Sequence, residues 1–216
     1  MVGSTTTTTI AGVIPYALVR GSLKLRDDSV APVALKKRRI VFKSNTKRDS
    51  DPHRIHPPSG PGFPHDPTVN GATLTVYNSN PAPGSPIDDV VIQLPAGKWF
   101  RGKGFLEFRY VDTDPAAAIQ KVILKPDSLL VKGGGPNWPY TLNEAAQGSV
   151  AVRLLMGIPT LNIATFAYCT DTPPKVSSSG KSHDFVDKFD GDTKVPPPVC
   201  PARKNGGSPS GAFLSD

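Results

Sequence analysis

Residues 119–132 read IQKVILKPDSLLVK, and they decide the fold class. Residues 119–124 and 129–132 are short, apolar, β-prone runs separated by Pro126-Asp127. Proline presets φ for position i+1 of a type I turn and aspartate suits i+2, so the two runs are expected to pair as a hairpin. The same signature recurs on both sides. Residues 22–26 alternate apolar with polar, and residues 72–77 do so again with Leu74 and Val76 on one face. Residues 40–43, 90–94, 105–110, 150–155 and 161–168 bring the expectation to about nine strands, each bounded by Gly, Pro, Asn or Asp.

Many short strands without βαβ alternation argue for an all-β, antiparallel two-layer sandwich with jelly-roll or immunoglobulin-like connectivity. The repeating apolar positions nominate a core of Leu74, Val76, Val90, Ile92, Phe108, Val122, Leu124, Val150, Val152, Leu154 and Phe166. Helix should be scarce, because sixteen of the eighteen acidic residues are Asp, which favours turns and caps over helix interiors. The one helical cue is the capping-box pattern Thr141-x-x-Glu144, stopped by Gly148, which predicts a single helical turn near residues 141–147.

Twenty glycines and 24 prolines in 216 residues leave room for one compact core with long connections. Three regions follow. Residues 1–19 form a Thr-rich and then apolar arm, residues 20–170 the sandwich, and residues 171–216 a Pro/Ser/Asp-rich tail. No stretch reaches the eighteen or so apolar residues of a membrane span, and residues 10–19 lack the basic segment that precedes a signal sequence, so an export leader is expected to have been removed. In an exported chain the two cysteines, Cys169 and Cys200, most simply pair and tether the tail. The arm carries Ile10, Val13, Ile14, Tyr16 and Leu18 with no charge before Arg20. Such a segment gains by adding to a sheet edge, and Pro15, which lacks an N–H, confines it to an edge. Docking on its own sheet gives a closed monomer; docking on a neighbour links copies.

The net charge of +7 lies wholly in residues 1–60, which hold eleven Lys/Arg against four Asp. Its densest run, Lys36 to Arg39, suits nucleic acid, anionic lipid or acidic polysaccharide in principle. The simpler reading is a soluble strand edge. Aromatic residues do not interleave with the basic ones, so no nucleic-acid partner is expected.

Metal candidates are weaker. His53, His56 and His65 share a Pro-rich stretch with Asp51 and Asp66, but their spacing fits no structural zinc motif. Asp184, Asp187, Asp190 and Asp192 offer oxygen donors for Ca²⁺ without the spacing of a calcium loop, and no other cofactor is expected. No nucleophile elbow or phosphate loop occurs, and Glu107 sits between Leu106 and Phe108 as a strand-face residue. Trp99, Trp138 and Tyr140 are either core or a glycan-stacking platform for a polysaccharide.

Taken together, residues 71–78 (GATLTVYN), 130–134 (LVKGG), 140–144 (YTLNE) and 147–154 (QGSVAVRL) resemble a recurrent β-rich domain of uncharacterised exported proteins from environmental bacteria. The resemblance spans roughly residues 20–202 and ends in a Cys-Pro pair like Cys200-Pro201. It implies export, β-structure and attachment to Thr-rich linkers, and it brings no activity with it. The reading is therefore a non-catalytic extracellular or cell-surface structural module whose partners are copies of itself. A carbohydrate-binding module is the alternative, and a secreted enzyme domain stands third.

Overall fold

The structure is a computed structural model, and it describes residues 13–18, 20–27, 38–45, 57–58, 65–80, 89–102, 106–142, 149–156, 165–172 and 184–190. Among them run twelve strands: β1 Val13–Ala17, β2 Arg20–Arg26, β3 Arg39–Asn45, β4 Ala72–Asn80, β5 Asp89–Leu94, β6 Trp99–Arg101, β7 Phe108–Val111, β8 Ile119–Lys125, β9 Ser128–Gly134, β10 Ser149–Met156, β11 Thr165–Thr172 and β12 Asp184–Asp190. They form an all-β sandwich. One sheet has five strands in the order β1-β11-β10-β4-β5, and the other has seven in the order β12-β2-β3-β9-β8-β7-β6.

All nine expected strands are present, and β1, β6 and β12 are additional. The pairing is antiparallel with one exception: β1 runs parallel to β11, with Val13 opposite Thr165 and Ala17 opposite Cys169. The arm thus docks on its own chain at a sheet edge, where Pro15 forfeits no second ladder. β12, inside the expected tail, pairs with β2 at the opposite sheet's edge. Boundaries drawn at residues 19 and 170 therefore cut through the sandwich.

Inward positions of both sheets fill one core. Leu23, Leu25, Ile40, Phe42, Phe108, Val122, Leu124 and Val131 from the seven-stranded sheet meet Leu74, Val76, Val90, Leu94, Val150, Val152, Leu154 and Met156 from the five-stranded one. Each such side chain contributes about 1.5–3 kcal/mol by leaving water. The expected core positions are buried, except that Ile92, on edge strand β5, is half-buried, and the Phe166 side chain lies outside the described residues.

The β8–β9 hairpin forms with Lys125 opposite Ser128, but Asp127 has φ 74°, the value of a type II rather than a type I turn. Proline at the first central position excludes the primed turns, and aspartate tolerates the left-handed region better than most residues. The helical cue near residues 141–147 falls mostly outside the described residues, with Thr141 and Leu142 irregular. The one described α-helical turn is α1, Pro67–Asn70, capped by Asp66. A 3₁₀ turn, Ala96–Lys98, leads from β5 into β6.

Candidate functional site

Three enclosed carboxylates dominate the polar chemistry; Asp66 lies on a segment that crosses between sheets, and Asp27 and Asp112, in turns of the seven-stranded sheet, bond to groups at two other crossings. Asp66 opens α1 on the way from β3 to β4; its Oδ1 accepts from Thr68 N at 2.9 Å and from Thr68 Oγ1 at 2.7 Å. Its Oδ2 is engaged by Arg101 of β6, in the other sheet, whose guanidinium also lies 5.0 Å from the Phe108 ring centroid. Asp66 is 1% exposed. Proline after aspartate is a helix-start signal, so the cap was readable in the sequence. Nothing local foretells Arg101, 35 residues away.

Asp27, at the end of β2, accepts from Arg38 Nε at 2.7 Å and from Leu142 N at 3.0 Å. Arg38 Nη1 donates to Trp138 O at 3.2 Å, and Gly135 N donates to Arg38 O at 2.8 Å. This clasp pins residues 135–142, the segment that leaves β9 for the other sheet, against the β2–β3 pair. Gly134 makes the approach feasible: its φ is 143°, and a Cβ there would stand 2.2 Å from Arg38 O. The Gly133–Gly135 run is thus a backbone crossing point.

Asp112 closes the β5–β6 crossing. Lys98 Nζ donates to its Oδ2 at 2.5 Å and Tyr110 Oη at 3.2 Å, while Asp114 N donates to its Oδ1 at 3.1 Å. The Lys98 hydrogen bond holds the Asp112 carboxyl below its ordinary value. Burial, reinforced by the Asp112 charge, pushes the Tyr110 phenol well above its ordinary value. Glu107 is held below its ordinary value chiefly by Arg109, 2.5 Å away, with Lys125 at 3.5 Å. Its side chain is 14% exposed, so it is more enclosed than a solvated strand-face residue.

The nominated sites separate. Trp99, Trp138 and Tyr140 are buried at 4%, 1% and 1% exposure. That corrects the stacking platform, which needs open ring faces: Trp99 packs 5.4 Å from Tyr110 and donates to Leu94 O, and Trp138 and Tyr140 pack on each other at 6.5 Å between centroids. The calcium series is corrected too. Asp184, Asp187 and Asp190 lie on strand β12, an extended segment whose ends, at residues 184 and 190, stand about 20 Å apart, too far for the series to share one ion. Asp192, His53, His56 and Cys200 lie outside the described residues; His65 precedes the Asp66 cap, and Cys169 lies on β11. Of the arm residues, Ile10 also lies outside, Val13, Ile14 and Tyr16 lie on β1, and Leu18 is buried in the core. Among the described residues no group of three His, Cys, Asp or Glu side chains converges to hold a metal, and no helix is long and apolar enough to cross a membrane.

Comparison with known proteins returns no match, whether to a protein family, a curated sequence or a solved structure.

Proposed function

We propose that this chain is a non-catalytic structural module of the cell exterior, secreted or surface-held, which assembles by exchanging its N-terminal arm between copies. The observation that carries the structural role is the commitment of three carboxylates, Asp66 with Arg101, Asp27 with Arg38 and Asp112 with Lys98, to fixing segments that cross between the sheets. Charged groups committed to holding segments together serve rigidity, whereas catalytic groups need to face a substrate.

Support for exchange comes from the hinge. Only Leu18 and Val19 separate β1 in one sheet from β2 in the other. A short hinge between two docked elements favours swapping, because the same β1–β11 ladder forms equally on a neighbour's β11. A disulfide between Cys169 and Cys200, export, and attachment to Thr-rich linkers belong to the same reading. Deleting residues 1–19 tests it by electron microscopy and light scattering. Assembly of the full chain, lost in a deletion variant that stays folded, is the expected result; a full chain that remains monomeric at high concentration, or a deletion variant that assembles equally, overturns it.

A further inference from the structure

The outer face of the seven-stranded sheet carries an array of cations, five of which have no ion-pair partner among the described residues. On β2, β3, β8 and β9 every charged outward side chain is basic: Arg20, Lys24 and Arg26, Arg39 and Lys43, Lys121 and Lys125, and Lys132. Register places them in rows across the strands. Lys24 stands opposite Val41, Val41 opposite Lys132, and Lys132 directly opposite Lys121. Arg26 stands directly opposite Arg39 in the next row. Strands lie about 4.8 Å apart, so Lys24 and Lys121 span about 14 Å, with Arg39 and Lys43 about 7 Å to either side of that line along β3.

Like charges directly opposite one another destabilise a sheet, yet Lys121 and Lys132 stand so, both exposed. The acidic positions lie at its borders. Glu107 and Asp112, near β7, are engaged by Arg109 and Lys98, and on β12 Asp184 and Asp190 stand in register with Arg26 and Arg20. Lys24, Arg39, Lys43, Lys121 and Lys132 are exposed, and none has an ion-pair partner among the described residues. A sequence that breaks a local rule without an internal gain marks a functional surface.

We propose that this face binds an acidic polysaccharide through its carboxylate or sulfate groups. Three polyanions compete for such a surface, and shape and chemistry choose among them. A bilayer is planar, whereas each strand is rotated by about 20–25° from the last; from β2 to β8 the lysines turn too far to share one plane. Single-stranded nucleic acid is held by aromatic stacking between cations, and the intervening residues here are Val41, Leu130 and Ile123, while Phe100, the one exposed ring among the described residues, stands out on edge strand β6. A flexible, regularly charged chain follows a twisted row of lysines and needs no stacking. Neutral glycans have no counterpart, because the candidate stacking rings are buried.

The test uses the full chain with polygalacturonate and heparin as probes, and neutral dextran, anionic phospholipid vesicles and single-stranded DNA as comparators. Binding to one of the two acidic polysaccharides that weakens steeply with salt is expected, because cations on the protein displace the polymer's condensed counterions. The triple variant Lys24→Gln, Lys121→Gln, Lys132→Gln should lose at least about tenfold in affinity at low salt with an unchanged circular dichroism spectrum. Lys98→Gln, whose ammonium is occupied by Asp112, should bind as the parent does. Failure to bind either acidic polysaccharide, equal binding to dextran, preference for vesicles or DNA, or an unaffected triple variant would each overturn the proposal.

Discussion

The two sheets share an inner face and differ in their outer ones. The five-stranded sheet is enclosed on both sides near its centre: Tyr77, Ala151 and Leu155 point away from the shared core and are nevertheless buried, at 1%, 1% and 3% exposure. Its central strand β10 reads SVAVRLLM, a nearly unbroken apolar run, as strands covered on both faces do. The seven-stranded sheet alternates instead. β3 reads RIVFKSN, with Ile40 and Phe42 buried and Arg39 and Lys43 exposed. One sheet is a foundation and the other presents a surface, and the ion pairs at the crossings hold the two together.

The largest effect should come from breaking a crossing. Asp66→Ala leaves the Arg101 guanidinium, 16% exposed, without its carboxylate, and should lower stability to urea by about 3–5 kcal/mol. Combining Asp66→Asn with Arg101→Met should restore most of it. A loss below about 1 kcal/mol would mean that the sheets do not depend on this bridge. Outer-face truncations then sharpen the contrast between the layers. Leu155→Ala should cost about 2–5 kcal/mol, as in a core, whereas Ile123→Ala, half-buried on the outer face of the other sheet, should cost about 1 kcal/mol or less. Equal costs in urea unfolding would erase the distinction.

A smaller effect is expected at Asp112. Its folded carboxyl titrates below the ordinary 3.8 because Lys98 bonds the charged form. The stabilisation is therefore present above pH 3.8 and is lost as the pH falls through the lower folded value. Since Lys98 is 41% exposed, water screens the pair and the contribution should stay under about 1 kcal/mol. Asp112→Asn should flatten the acid limb of a melting-temperature profile; an unchanged limb would show that the pair does not stabilise the fold.

Legibility in the sequence tracked the same contrast. Strands with one wet face announced themselves by alternation, so the β2, β3 and β8–β9 pattern was readable, as was most of the core. The strands beyond the expected nine each lacked that signal, and only the arm's apolar run pointed to β1 as an added edge strand. β1 contains Pro15, β6 has three residues, and β12 carries Asp184, Asp187 and Asp190, which have low strand propensity. Aromatic residues were ambiguous for a different reason. Ring size favours burial and surface recognition alike, and only the packing of Trp138 against Tyr140 and of Trp99 against Tyr110 decides between them. The cationic face was hidden by distance in the chain, because Lys24 and Lys43 meet Lys121 and Lys132 only through the β3–β9 ladder.

Hydroxyl-radical footprinting tests the difference between the two outer faces most directly, because each carries an aromatic probe. Tyr77 stands on the five-stranded sheet at 1% exposure and Phe100 on the seven-stranded sheet at 54%. The native protein should be modified readily at Phe100 and be protected at Tyr77 until it unfolds. Comparable labelling of the two rings in the native state would contradict the account.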